Sequence, residues 1–264
     1  MRVARWPDFE VAAVICDDDH RGWAPAEQAG AHQLVLVRRG MFRRRARSAE
    51  LTVDRALGYL TLPGDEQSFA HPAGGDDCTA VTLGPELWHE LAGEARPARS
   101  AVYVDARLEL AHRRLLTAAR DDDVTAELVD LAVLAATRTL AGPLPSTPAR
   151  GPRAAAADRA LVDQARAAIA ADHPSATGLL PLARLLGVSP YRLSRAFPRE
   201  LGVSLTRYRN RIRTGRALDR LAAGEHDLAA LAADLGFADQ PHLTRTLRAQ
   251  VGHTPTVLRR LLTG

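Results

Sequence analysis

The 264-residue sequence contains no lysine, so all 35 of its basic residues are arginine. Together with the abundant alanine, this bias reflects GC-rich coding sequence rather than a chemical requirement. The sequence also lacks any run of about 18 uncharged apolar residues and any signal-peptide apolar block near its start. Its only two cysteines, Cys16 and Cys78, are too few for a disulfide framework. We therefore expect neither a membrane protein nor a secreted one, but a cytoplasmic protein.

Charge is divided unequally along the chain. Residues 151–264 hold 17 arginines and 9 acidic residues, a net charge of +8, whereas residues 1–150 hold 18 and 22, a net charge of −4. This asymmetry indicates that only the second half binds a polyanion. With 46% hydrophobic and 25% charged residues, the chain has the composition of a globular protein of one large or two modest domains.

A proline- and glycine-rich stretch over residues 141–153 has no apolar periodicity and predicts a linker between two domains. Before it, residues 8–85 show short apolar runs separated by turn residues, which favours a barrel or a double-sheet sandwich. The expected strands are Val11–Ile15, Gln33–Arg39, Leu51–Val53, Leu57–Leu62 and Thr79–Leu83, and the expected helices are Arg107–Ala119 and Val124–Leu140.

Residues 154–264 carry a helix-turn-helix pattern twice, each a short amphipathic helix, a glycine turn and a capped helix. The expected elements are Leu179–Leu186, Gly187, Pro190–Phe197, Leu205–Ala222, Leu228–Leu235, Gly236 and Asp239–Arg248. Ser189 is the expected N-cap of the first unit's second helix, and Pro190 its first residue. We expect Pro198 to remove the hydrogen bond to the Ser194 carbonyl and to kink or end this helix early.

Leu231–Arg260 reads LAADLGFADQPHLTRTLRAQVGHTPTVLRR and resembles the AraC/XylS transcription regulators. The residues that carry the resemblance are Gly236-Phe237, Gln240, Leu243, Arg245, Gly252, Thr254-Pro255 and Arg259, together with Leu182-Ala183, Val188-Ser189, Leu193, Arg195, Phe197, Gly202 and Arg213. The resemblance implies an α+β two-domain protein with a paired helix-turn-helix domain over residues 154–264. For residues 1–140 it implies a cupin-like β-barrel with two following helices.

The same resemblance implies a regulator of transcription, more often an activator, that binds double-stranded DNA and a small-molecule effector. RNA polymerase and a second copy of the chain are the other implied partners. Dimerisation is also favoured by five leucines that exceed what two short helices need to cover a barrel: Leu108, Leu115, Leu128, Leu131 and Leu134. The alternative is that these leucines pack within one protomer.

In each second helix, the reading helix, side chains three or four residues apart share the groove-facing side. We predict base reading by Tyr191, Ser194 and Arg195 in the first unit and by Gln240, His242 and Arg245 in the second. Phosphate contacts are predicted for Ser189, Arg192, Arg199, Arg209 and Arg248. The alternative is that the arginines form ordinary solvated helix faces.

Two candidate sites lie in the first half. Cys16, His20, His71 and Cys78 are zinc-type donors that a barrel could bring together as a zinc site or thiol sensor; alternatively, the cysteines are plain buried apolar residues. An effector pocket is expected around Trp23, His32 and His71. The arginine run over residues 38–47 could attract an acidic effector or form a solvated outer face.

We expect no enzymatic activity. A cupin-type metalloenzyme with a DNA-binding tail would need closely spaced histidines, and His32 has no partner two residues later. A DNA-repair protein of this kind would need more than two cysteines around a zinc ion. A metal or thiol sensor with a DNA-binding tail is the main alternative, and a purely architectural DNA binder would need no ligand-sized barrel.

Overall fold

A computed structural model of the chain describes residues 2–17, 19–47, 49–93, 100–121 and 152–263, together with Val124, Glu127, Leu128 and Leu131. The predicted linker up to residue 151 and most of the predicted helix Val124–Leu140 lie outside the described residues. The chain divides into a first compact unit, Met1–Ala141 with Arg260–Gly264, and a second, Gly142–Arg259. Among the described residues, no helix has the length and apolar character needed to cross a bilayer.

The first unit is built on two antiparallel sheets. Its strands are β1 (Arg2–Arg5), β2 (Phe9–Cys16), β3 (Glu27–Gln28), β4 (His32–Arg39), β5 (Phe42–Ala46), β6 (Ala49–Val53), β7 (Leu57–Thr61), β8 (Glu66–Ala70), β9 (Asp76–Leu83) and β10 (Ala101–Tyr103). The larger sheet has the order β1-β2-β9-β4-β7-β10 and the smaller β3-β8-β5-β6. Every predicted strand is confirmed. Over the described residues both sheets are open, so the closed barrel is not shown.

Side-chain alternation along the strands creates two apolar layers. Leu34 and Leu36 of β4 lie in the core that packs against α2 (Ala106–Asp121), whereas Val35 and Val37 pack with Phe42 of the smaller sheet. Helix α1 (Pro85–Ala92) precedes β10 and was not predicted from the sequence. The larger sheet is therefore covered on one face by α2 and on the other by the smaller sheet.

The leucines that favoured dimerisation lie in the core of the protomer. Leu108, Leu115, Leu128 and Leu131 are each at most 3% exposed and belong to the α2-side core. The inference that they exceed what one protomer can bury is therefore wrong for these four. Leu134 lies outside the described residues.

The second unit is helical over its described residues. Its elements are α3 (Pro152–Ala170), a 3₁₀ turn (Pro174–Thr177), α4 (Leu179–Leu185), α5 (Pro190–Leu201), α6 (Leu205–Ala222), α7 (Leu228–Asp234), α8 (Gln240–Val251) and the part of α9 (Pro255–Thr263) that ends at Arg259. The pairs α4–α5 and α7–α8 are the two predicted helix-turn-helix units, and α6 joins them. The predicted bounds of α6 are confirmed to the residue.

Helix α5 continues past Pro198 to Leu201. It ends at Gly202, whose φ of 70° is left-handed and whose N–H donates to the Pro198 carbonyl. The expectation that Pro198 ends the helix early is therefore wrong. The reason is that Pro198 removes one backbone hydrogen bond near the carboxyl end, while the buried side chains of Phe197 and Leu201 hold the last turn in the core.

Candidate functional site

The two reading helices, α5 and α8, begin in the same way. Ser189 Oγ accepts a hydrogen bond from the N–H of Arg192 at 3.2 Å, and Asp239 Oδ1 accepts one from the N–H of His242 at 2.6 Å. These two caps lie 50 residues apart and satisfy backbone donors that a helix start leaves without partners. The preceding turns need glycine, because Gly187 and Gly236 have φ values of 64° and 69°.

Each reading helix has one buried face and one exposed face. Leu193 of α5 and Leu243 of α8 occupy equivalent positions, and both are 0% exposed. On the opposite face Arg195 and Arg245 are exposed in both helices, and Tyr191 is 73% exposed. Since a large aromatic side chain is rarely left so open, the Tyr191 face of α5 is available to a partner.

The predicted base readers differ in how much hydrogen-bonding capacity they leave open. Gln240 and Arg245 are exposed, whereas Ser194 is half-buried and its Oγ donates to the Tyr191 carbonyl at 3.0 Å. The Ser194 hydroxyl can therefore still accept a hydrogen bond from DNA, but its proton is already donated to the Tyr191 carbonyl. The guanidinium of Arg195 lies 6.0 Å from the Tyr191 ring, so these two side chains share one surface.

His242 is held by the turn that precedes α8. Its Nδ1 accepts a hydrogen bond from the N–H of Ala238 at 3.3 Å, and its ring meets Phe237 edge-on at 5.5 Å. An accepting Nδ1 carries no proton, so the neutral ring is protonated at Nε2. Nε2 is therefore a donor suited to an acceptor on a base edge.

The predicted phosphate contacts differ in how far their side chains are already engaged within the protein. Arg192 and Arg199 form ion pairs with Asp158 of α3, at 3.8 and 3.4 Å. Arg209 donates to the Thr177 carbonyl. The pKa of Arg209 is lowered, mainly because the guanidinium is buried and also because the positive charge of Arg213 is nearby. Ser189 acts as an N-cap. Only Arg248 of these arginines is exposed with no ion pair to a described residue.

The three predicted effector residues contact different partners. Trp23 lies under the guanidinium groups of Arg43 and Arg45, at 4.9 and 4.2 Å. His32 stacks on the ring of Trp88, with 4.7 Å between centroids. Within the described part of the chain, no hydrogen bond or ring contact joins Trp23, His32 and His71 to one another, so a shared pocket stays a prediction.

Arg44 is a buried cation that the sequence analysis does not single out. Because side chains alternate along β5, Arg44 points inward and is 1% exposed, while its neighbours in the arginine run point outward. It donates to Gln67 Oε1 at 2.9 Å and to Ser100 Oγ at 3.1 Å, and lies 4.3 Å from the ring of Tyr59. Burial lowers its pKa, and its Nη2 has no hydrogen-bond partner among the described residues. The inward position of Arg44 could have been predicted from the sequence, because Phe42, Arg44 and Ala46 are alternate residues of one strand and share its buried face.

The four predicted zinc-type donors lie in one cluster, which also includes Asp76. Ligand atoms of Cys16, His71 and Asp76 all lie within 4.8 Å of one another. The ring of His20 is 5.0 Å from that of His71, and Cys78 Sγ donates to Asp76 Oδ2 at 2.9 Å. Burial raises the pKa of both the Cys78 thiol and the Asp76 carboxyl. Asp76 was not predicted from the sequence, because its contact with Cys16 depends on sheet register.

The solved structures that are similar to the chain include the following three. The C-terminal domain of AraT, a response regulator from Geobacillus stearothermophilus, is 30% identical over 38% of this chain and 84% of that one, with a TM-score of 0.36. ToxT from Vibrio cholerae O395 is 10% identical over 97% of this chain and 99% of that one, with a TM-score of 0.39. The AraC-like transcriptional activator CuxR is 14% identical over 81% and 79%, with a TM-score of 0.38. These TM-scores are low, so the structural likeness carries no argument.

The sequence match is more informative. No curated protein sequence matches the chain. A family model described as a helix-turn-helix domain matches residues 182–261, which run from α4 into α9 and include both reading helices. As the resemblance implies, the chain therefore carries an AraC-type helix-turn-helix domain at its carboxyl end, which makes it a DNA-binding transcription regulator.

Proposed function

We propose that the chain is an effector-responsive transcription activator whose two reading helices contact adjacent major-groove segments of one DNA duplex. The observation that supports this most strongly is the repeated exposure of Arg195 and Arg245, each on the face opposite a fully buried leucine. An arginine there can donate two hydrogen bonds to guanine O6 and N7, which discriminates against other bases by about 1–3 kcal/mol. The basic second half supplies the attraction to the phosphate backbone.

The joining helix α6 supports a bipartite DNA site. It has 18 residues, so at 1.5 Å per residue it is about 27 Å long, somewhat less than the roughly 34 Å of one DNA turn, and it holds the two reading helices at separate ends. The two reading surfaces carry different residues, Tyr191 with Arg195 on α5 and Gln240 with His242 and Arg245 on α8. We therefore expect two unlike recognition segments about one helical turn apart.

Selection of bound duplexes from a random pool tests this proposal with the full chain. The selected DNA should contain two conserved segments separated by unselected positions. Arg195→Ala should erase preference in one segment and Arg245→Ala in the other, while Arg153→Ala, an exposed arginine at the start of α3, should change neither. One uninterrupted segment, or loss of the same segment in both variants, would contradict a bipartite site.

The first unit is proposed to be a cupin-like sensor for an effector that carries an acid group. The supporting observation is Arg44, a 1% exposed cation that is bonded to neutral partners. A carboxylate would supply the opposite charge that such a buried cation favours.

All three tryptophans, Trp6, Trp23 and Trp88, lie in this unit, so tryptophan fluorescence reports its melting alone. Carboxylic acids of different chain length should raise that melting temperature in the wild type and not in Arg44→Gln. Equal shifts in both would contradict the assignment.

A homodimer and RNA polymerase are proposed as partners, and no enzymatic activity is proposed for either unit. Family resemblance is the support for dimerisation, because the described leucines Leu108, Leu115, Leu128 and Leu131 are buried within the protomer. Two tethered DNA-binding units would raise apparent affinity by about 10²–10⁴-fold. Sedimentation of the full chain at tens of micromolar tests this; a monomer would contradict it. Activation of a reporter promoter, lost on Arg245→Ala, tests the sign of regulation.

A further inference from the structure

We propose that Cys16, His71 and Asp76 form a zinc-binding site in the first unit, with His20 or Cys78 as the fourth ligand. The three side chains come from separate elements: the end of β2, the loop after β8 and the start of β9. Metal binding by this cluster is independent of DNA binding by the second unit, so either proposal can fail alone.

The backbone brings these donors together. Cys16, the last residue of β2, lies directly opposite Asp76, the first residue of β9, in the antiparallel pair of these two strands. The N–H of His71 donates to the carbonyl of His20 at 2.9 Å, which anchors both histidines to the same loop junction. The ligand atoms of the central three residues lie within 4.8 Å. Ligands about 2.0–2.3 Å from a tetrahedral zinc ion lie about 3.5 Å apart, so small side-chain rotations would close the site.

Burial makes the cluster energetically costly in the absence of a bound cation. Asp76 is 4% exposed, and its carboxylate contacts the Cys78 thiol and His71 Nε2, the latter 3.1 Å from Oδ1. Among the described residues no arginine forms an ion pair with Asp76, and His71 Nδ1 has no hydrogen-bond partner although His71 is only 7% exposed. A buried carboxylate is costly unless it is paired or coordinates a metal. A dication would supply the missing charge.

The donor set selects the metal. Thiolate, imidazole and a single carboxylate are the ligands of zinc, whereas calcium and magnesium take oxygen ligands alone. Four available donors would give the closed tetrahedral coordination that is typical of a structural or sensing zinc ion. Asp77, next to Asp76, is paired with Arg39 at 3.1 Å and is therefore not assigned to the site.

Cobalt substitution tests the proposal in the full chain, with any affinity tag removed and the protein first treated with a chelator. We expect one Co²⁺ per chain, visible absorption bands of tetrahedral intensity and a thiolate-to-cobalt band in the near ultraviolet. Added Zn²⁺ should displace the Co²⁺ and remove these bands. Cys16→Ser should halve the thiolate band or more, and His71→Gln should weaken binding at least about tenfold. His89→Gln, an exposed histidine of α1, should bind as the wild type does.

Tryptophan fluorescence melting of each variant checks that the first unit remains folded. Cys16→Ser changes one half-buried atom at a strand end, so it carries the test if His71→Gln unfolds. Cobalt bound without a thiolate band would overturn the proposal. The proposal would also be overturned if Cys16→Ser bound cobalt as the wild type does, or if the wild type bound no stoichiometric cobalt.

Discussion

Arg199 Nη1 lies 3.4 Å from Asp158 Oδ2, which ties the first reading helix α5 to helix α3 through a carboxylate only 5% exposed. Arg192 reaches the other oxygen of the same carboxylate at 3.8 Å. Asp158 therefore orients α5 and neutralises part of the positive charge that the sequence assigns to phosphate binding. Arginines of one helix can thus differ in role although the sequence treats them alike.

Arg199→Ala is expected to destabilise the second unit by about 1–3 kcal/mol, because it removes one partner of a buried carboxylate. DNA binding by the folded variant should keep its dependence on salt. Arg248→Ala is the matched comparison, since Arg248 is exposed at the equivalent end of α8. It should leave stability unchanged and reduce the salt slope by about one unit. Thermal melting by circular dichroism and binding titrations at several salt concentrations measure both; a reduced slope for Arg199→Ala would reverse its assignment.

Pro198→Lys is expected to stabilise the second unit by about 1 kcal/mol, since it restores a backbone donor inside a helix that already continues to Leu201. DNA affinity should be retained or slightly increased, because the helix path does not depend on the proline. Melting temperature and binding titration measure the two effects. A sharp loss of affinity in a variant that remains folded would mean that the proline shapes the DNA-binding surface.

His112 makes the stability of the first unit depend on pH. Burial lowers the pKa of this α2 histidine to about 4, and its Nε2 has no hydrogen-bond partner among the described residues. Below about pH 6.5 the unfolded chain takes up a proton that the folded chain refuses until about pH 4. The stabilisation is therefore complete above pH 6.5 and is lost as pH falls towards 4, by up to about 3 kcal/mol. Denaturant titrations followed by tryptophan fluorescence should show this loss in the wild type. An equal loss in His112→Leu would contradict the assignment.

Local patterns predict much of this fold. The apolar alternation of β4 and β9 and the helical periodicity of α6 identify these elements, because their burial follows directly from the period of the side chains. The paired helix-turn-helix follows from caps, glycine turns and a repeat of 49 to 50 residues. The exposed faces of α5 and α8 follow from the same periodicity, which is why the candidate base readers could be named in advance.

Features that depend on contacts distant in sequence could not be predicted. The Cys16–Asp76 contact depends on the register of β2 against β9, and the Asp158–Arg199 pair on how α3 packs against α5. The path of α5 through Pro198 depends on buried side chains that outweigh one lost hydrogen bond. Arg44 is different, since its inward position could have been found from the alternation of β5.

The central claim is that Arg245 reads a base, and discrimination between matched duplexes tests it most directly. Binding of the wild type, Arg245→Ala and Arg248→Ala should be measured on a selected duplex and on one that differs by a single base pair in the α8 segment. The wild type and Arg248→Ala should discriminate by about 1–3 kcal/mol, and Arg245→Ala should bind both duplexes with nearly equal affinity. A uniform loss of affinity for Arg245→Ala with discrimination intact would contradict the claim.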